Sequence, residues 1–194
     1  MKFLTLSWDE IYTKSIRLAS KLRHDEDGSI DCLIGVSRGG LVLARILSDL
    51  LDVQNVMITK CEYYLDLGQR KRKPVITQKI QGSIAGRNVL VVDDVADTGE
   101  SLIEIKKYIK SKHPKRMRVA TIYIKPQSKA LPDYYVSKTD AWIIFPWELY
   151  EAMKSMSANK KANNMGRMKI PPKYLKMIYE MDHKLGQTSA GAAA

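Results

Sequence analysis

The chain has 194 residues, 45% of them hydrophobic, enough for one domain with a substantial core plus an appendage. No apolar run reaches membrane-spanning length, no signal-peptide core opens the chain, and Cys32 and Cys61 sit in strand-like stretches; a membrane span and a disulfide framework are excluded and the cytoplasm is expected. A net charge of +11 suits nucleic acid or a small polyanionic ligand equally.

Ser7 to Glu10 has capping-box spacing, and Ile11, Ser15, Leu18, Ala19 and Leu22 fall on one stripe. An amphipathic helix to about Arg23 should therefore open the chain. A polar break around Gly28 precedes Ile30 to Val36, which reads as a buried strand. The tight loop Ser37-Arg38-Gly39-Gly40 follows, then a helix striped by Leu41, Ala44, Leu47, Ser48 and Leu51, then a strand from Asn55 to Thr59. This is a right-handed βαβ crossover. The loop lacks the spacing of a P-loop or a dinucleotide fingerprint. It reads as a plain strand-to-helix turn or as a phosphate cradle, because small residues let the backbone approach an anion beside Arg38 and a helix start.

Six basic and two acidic residues lie between Lys60 and Lys79, centred on Arg70, Lys71, Arg72 and Lys73. Such a run is a solvated loop or an anion-facing one. Val75 to Gln81 is expected to pair back as a hairpin. Gly86 then leads into the strand Asn88 to Val92 and the run Asp93-Asp94-Val95-Ala96-Asp97-Thr98-Gly99-Glu100-Ser101-Leu102. Four apolar, mostly β-branched residues ahead of the acids read as a strand covered on both faces, typical of a parallel sheet. Thr98 and Gly99 let successive N–H groups converge at a helix start, which attracts phosphate, while carboxylates accept from ribose hydroxyls or bind hydrated Mg²⁺. Asp93 and Asp94 as mere turn and cap residues are the plainer alternative. The literal DDxxD match of Asp93, Asp94 and Asp97 to prenyl diphosphate enzymes fails on context. A strand leads into these acids, Gly99 follows at once, and no second acid-rich motif exists.

Leu102, Ile105 and Ile109 stripe a helix that ends near His113 and Pro114. Arg118 to Lys125 is the next strand, Pro126 to Pro132 a connection, and Tyr134 to Val136 and Ala141 to Phe145 short strands. Alternating strands and helices predict an α/β fold with a doubly wound, mainly parallel sheet and ligands at the carboxyl ends of its strands. Beyond Trp147 the composition shifts, with six of the nine Met residues after Glu151 and eight Lys or Arg against three acids in 151–194. Pro171 and Pro172 precede a helix from Tyr174 to about Leu185. Its Leu175, Ile178, Tyr179 and Asp182 leave few positions for a continuous basic face, so it is expected to pack rather than to bind nucleic acid. The expected organisation is a domain over 1–150, a basic Met-rich helical extension over 151–185 and a disordered tail over 186–194. His24, His113 and His183 are isolated, and no pair has metal-ligand spacing.

The run from Val91 to Ser101 resembles the phosphoribosyl-diphosphate (PRPP) motif of type I phosphoribosyltransferases: two hydrophobic residues, two acids, two variable residues, Asp-Thr-Gly, and a small hydroxyl residue two places on. Glu100 stands where the commonest form has Gly. Lys125-Pro126, then Trp142-Ile143, then Pro146-Trp147-Glu148 resemble the xanthine-guanine branch of the purine enzymes, and the resemblance spans roughly Trp8 to Glu148. Two features depart from it: Ile144-Phe145 is apolar where a more polar pair is expected, and no Ser precedes Tyr63 or Tyr64.

The resemblance implies transfer of a phosphoribosyl group from PRPP to a 6-oxopurine (guanine, xanthine or hypoxanthine), releasing pyrophosphate and a purine nucleoside monophosphate, on a sheet carrying a small base-binding hood. It implies Asp97 as general base, and Asp93 and Asp94 on the ribose and on Mg²⁺, directly or through water. Ala96, Asp97, Thr98, Gly99, Glu100 and Ser101 would wrap the 5′-phosphate, the Glu100 side chain pointing away. Ser37, Arg38 and Gly39 would grip pyrophosphate, with a cis non-proline peptide near Ser37 and Arg38. Lys125 would donate to the purine 6-oxo group, Trp142 would stack on the ring, and backbone beside Ile143 would read the base edge. Tyr63 or Tyr64, with Arg70, Lys71, Arg72 and Lys73, would form a flexible loop closing over PRPP. A homo-oligomer is expected; nucleic acid and membrane partners are not. The alternative is a PRPP- or nucleotide-sensing regulator on the same scaffold that binds nucleic acid through its basic tail. Asp97 together with Lys125 and Trp142 favours the enzyme, since a sensor needs no base pocket.

Overall fold

The computed structural model describes residues 2–24, 29–65, 72–158 and 169–190, with backbone alone at 65, 72, 156–158 and 182–190. The chain divides into two units, Met1–Trp8 with Ala141–Ala194, and Asp9–Asp140.

The larger unit follows the alternation read from the sequence. After α1 (Trp8–Arg23) come β2 (Cys32–Ser37), α2 (Gly39–Leu50), β3 (Val56–Leu65), β4 (Arg72–Gln78), β5 (Asn88–Ala96), α3 (Glu100–Lys110), β6 (Arg116–Ile124) and β7 (Tyr134–Lys138). β1 (Phe3–Thr5) precedes them in the smaller unit. The sheet order is β4-β3-β2-β5-β6-β7. All pairs are parallel except β3 with β4, a hairpin whose second strand runs Arg72–Gln78 where the sequence predicts Val75 to Gln81. From β2 the chain winds outward to β3, then returns to β5 and winds the other way. The gap between the ends of β2 and β5 is thus the switch point at which such sheets bind ligands.

Both faces of β2 and β5 are buried, as an unalternating apolar run requires. Cys32, Ile34, Val36, Val89 and Val91 pack with Leu102, Ile105 and Ile109 of α3. Gly35 points the other way, where an added Cβ would lie 3.1 Å from the Ala44 Cβ of α2. Cys32 is a free thiol whose pKa is raised, mainly by burial. It is therefore a core residue with little thiolate.

The smaller unit differs from expectation in two ways. A strand, β1, precedes the helix expected to open the chain, and β8 (Trp142–Ile144) pairs in parallel with β1 in a separate two-stranded sheet. Strands of three residues are too short to show a period. α4 (Leu149–Ala158) follows, and α5 (Pro172–Ala190) runs past Leu185 through Gly186, a residue that costs a helix only about 1 kcal/mol. Ile144 and Ile170 form its buried centre, packed by Phe3, Leu149, Ala152, Met153, Tyr174 and Leu175. Residues 191–194 lie outside the described residues. No described helix is long and apolar enough to cross a membrane.

Candidate active site

Two turns meet at the switch point. β2 ends at Ser37, the Ser37–Arg38 peptide is cis, and α2 starts at Gly39. A Cβ on Gly39 would run into the Asp94 carboxylate, and one on Gly40 into the Val92 carbonyl and Asp93. Glycine at both places lets the α2 start lie directly against the acidic end of β5. Asp94 is 7% exposed, and its N–H donates to Asp93 Oδ1 at 3.0 Å.

Past the acids, Asp97 and Thr98 are exposed and the chain turns at Gly99, whose φ of 79° is left-handed. A Cβ there would lie 2.5 Å from the Ala130 nitrogen and 2.8 Å from Ser128 Oγ. Tyr63, Asp93, Val95, Ala96, Asp97, Thr98, Gly99, Ser101, Leu102 and Thr121 line an open cavity of about 310 Å³. Six of the eight residues expected at the ribose and 5′-phosphate line this cavity; Asp94 and Glu100 do not.

The segment after β6 straps this turn. β5 and β6 pair through Ala96 and Ile124, and beyond them the Lys125 N–H donates to the Ala96 carbonyl at 3.0 Å and the Lys129 N–H to the Thr98 carbonyl at 2.9 Å. Gln127 Nε2 donates to Asp97 Oδ1 at 3.0 Å, and Lys129 Nζ donates to Glu100 Oε1 at 2.7 Å. Gln127 and Lys129 were not legible in the sequence as site residues, because the strand register places them there and no motif does.

Lys125 is 8% exposed. Burial lowers its pKa, against the raising effects of Asp97 and Asp140. Glu100 is held more acidic than usual by hydrogen bonding to Lys129 and by its charge, with a lesser contribution from Tyr63. The Tyr63 hydroxyl lies 3.4 Å from Thr98 Oγ1, whereas Tyr64, the next residue on the strand, is exposed and does not line the cavity. Lys73 is exposed on β4. Arg70 and Lys71 lie outside the described residues, as does the Arg72 side chain.

Trp142 and Ile143 belong to the other unit. On β8, Trp142 is 56% exposed and Ile143 is buried, with the Trp142 N–H donating to the Lys2 carbonyl at 2.8 Å. Phe145 stacks on Trp147 at 4.9 Å between centroids, so this apolar residue serves packing within its unit.

Among the described residues no group of three or more His, Cys, Asp or Glu could hold a metal ion. Asp93 and Asp94 alone fit Mg²⁺, which is commonly bound by one or two carboxylates with substrate oxygens and water filling the remaining positions.

The phosphoribosyl transferase domain family matches residues 7–153. A xanthine-guanine phosphoribosyltransferase from Cereibacter sphaeroides is 32% identical over 150 residues, covering 74% of this chain and 86% of the relative. Another, from Desulfotalea psychrophila, is 33% identical over 145 residues, covering 74% and 84%. Among solved structures, a purine phosphoribosyltransferase from Pyrococcus horikoshii superposes with a TM-score of 0.68 at 37% identity, over 76% of this chain and 94% of that one. With the β5 acids, the turn at Gly99 and the glycine-lined start of α2 all at one switch point, the chain belongs to the phosphoribosyltransferase family.

Proposed function

We propose that the chain transfers the phosphoribosyl group of PRPP to a 6-oxopurine (guanine, xanthine or hypoxanthine), producing the nucleoside 5′-monophosphate and pyrophosphate. The packing of Gly39 against Asp94 carries this proposal. It sets the Ser37–Gly39 turn beside the acidic end of β5, an arrangement that suits a sugar with a phosphate at one end and a diphosphate at the other. The reaction is displacement at the anomeric carbon through an oxocarbenium-like transition state, so the site must hold the leaving pyrophosphate and raise the purine's nucleophilicity.

In this proposal Asp97 takes or shares the purine N7 proton. Asp93 and Asp94 hold the ribose hydroxyls, and the N–H groups from Ala96 to Ser101 receive the 5′-phosphate. Ser37, Arg38 and Gly39 receive pyrophosphate. Asp93 and Asp94 would also hold Mg²⁺, which would supply positive charge for the leaving group. Lys125 donates to the 6-oxo group, Trp142 stacks on the base, and backbone beside Ile143 reads its edge. Tyr63, with Arg70, Lys71, Arg72 and Lys73, closes over PRPP and excludes water. We further propose a cytoplasmic homo-oligomer, in support of which Tyr12 and Ile16, one turn apart on α1, are both about half exposed. No observation favours the nucleic-acid-binding regulator.

The test is incubation with PRPP, Mg²⁺ and, separately, guanine, xanthine, hypoxanthine, adenine, uracil and orotate, scored for nucleotide. Product from at least one 6-oxopurine is expected. Product from uracil or orotate alone would overturn the base assignment, and no product from any base would overturn the transferase assignment.

A further inference from the structure

Glu100 introduces a carboxylate at the first position of α3, beside a turn proposed to receive a dianionic phosphate. A bare negative charge there opposes the ligand, yet two groups converge on it. Lys129 Nζ sits 2.7 Å from Oε1, and the Tyr63 hydroxyl, 3.4 Å from Thr98 Oγ1, is a lesser contributor to keeping the same carboxylate acidic. Lys129 comes from the strap after β6, fixed by its own N–H on the Thr98 carbonyl at 2.9 Å, and Tyr63 comes from the β3–β4 hairpin. Three separate segments thus meet at the turn from Thr98 to Glu100.

We propose that Glu100, Lys129 and Tyr63 form a clasp in which Glu100 is a positioning residue that seats Tyr63 over the 5′-phosphate turn, and Lys129 cancels the Glu100 charge so that the phosphate can bind. This rests on the proposed phosphate role of the turn. Lys129 and Glu100 are too exposed, at 65% and 37%, for their ion pair to matter much to folding. Its consequence is local, because a neighbouring dianion multiplies the effect of an uncancelled charge while salt reduces it.

The experiment is a double-mutant cycle on the full chain, with KM for PRPP, kcat, and the thermal midpoint of each variant. Lys129→Met is expected to raise KM for PRPP about tenfold at low salt, with the difference shrinking as salt increases. Its kcat and thermal midpoint should stay near wild type. Adding Glu100→Gln should return KM to near the wild-type value, since the opposing charge is gone. Tyr63→Phe should raise KM in the wild-type background but have a smaller effect in Glu100→Gln, its partner being weakened. A Lys129→Met variant with unchanged KM, or a double variant as impaired as the single one, would overturn the clasp. Thr98→Val and Ser101→Ala, measured alongside, separate the two ideas. If these leave PRPP affinity intact, the phosphate assignment of the turn fails; if they weaken it while the Lys129 cycle is flat, only the clasp fails.

Discussion

Gln127 donates its side-chain N–H to Asp97 Oδ1 at 3.0 Å, so the proposed general base is held in place through one carboxylate oxygen. The donor is exposed and comes from the strap that also carries Lys125. One short segment therefore carries Lys125, proposed to recognise the purine, and holds the proposed general base.

Asp97→Asn is expected to lower kcat by about 100-fold or more, with PRPP binding nearly unchanged, because general base catalysis typically contributes that much. Gln127→Leu should lower kcat by roughly three- to tenfold, since an exposed hydrogen bond to a charged group is at the weak end of its range. Steady-state kinetics with a direct PRPP titration checks both. An Asp97→Asn rate within threefold of wild type would remove that residue from the role.

Lys125 should make the enzyme sensitive to alkaline pH. Burial lowers its pKa below the usual Lys value, so its ammonium is lost earlier than that of a surface Lys, and affinity for a 6-oxopurine should fall on that alkaline limb. Asp97 raises the Lys125 pKa, so Asp97→Asn should move the limb to lower pH. The folding linkage has the opposite sense: between the lowered value and 10.5 the unfolded chain binds the proton more than the folded one, so stability rises with pH there. A kcat/KM profile for guanine whose alkaline limb is unchanged in Lys125→Met would refute the assignment.

Gly99→Ala and Gly86→Ala should differ. Both glycines have left-handed φ, 79° and 71°, but a Cβ on Gly99 meets the strap and one on Gly86 meets nothing within 4 Å. Gly86→Ala should cost about 1 kcal/mol from the backbone alone, and Gly99→Ala about 2–3 kcal/mol with the steric term added. Urea unfolding of the two variants provides the comparison, and equal losses would mean that the strap yields freely.

Truncation after Tyr150 should destabilise the smaller unit or change the oligomeric mass. It removes Ile170, which is 7% exposed, together with Met153, Tyr174 and Leu175 packed around Ile144. Ile170→Ala alone should cost about 2 kcal/mol, the low end for a buried Ile in a small cluster. Light scattering and thermal unfolding test this, and a truncated chain with unchanged mass and melting would show the extension to be dispensable. Nucleic-acid binding that persists at about 200 mM salt and vanishes on truncation, with mass unchanged, would instead revive the regulator.

The sequence by itself determined the parts that depend on local periodicity and turn chemistry. The β-branched run Val89 to Val92 reads as a buried strand, the stripe Leu102, Ile105, Ile109 as a helix, and Asp-Thr-Gly between them as a turn that can receive an anion. These follow because side-chain direction repeats every two or 3.6 residues and because Gly99 adopts a left-handed φ at little cost. Only tertiary structure decided what lies opposite. The register of β5 on β6 brings Gln127 to Asp97 and Lys129 to Glu100, and the alternation of β3 sends Tyr63 to the cavity while Tyr64 faces out. The pairing of β1 with β8 joins Phe3–Thr5 to Trp142–Ile144, strands far apart in the chain, and no spacing along the sequence encodes such a contact. Those contacts are set by which strands share hydrogen bonds, and a shift of one residue in register would reverse every side chain.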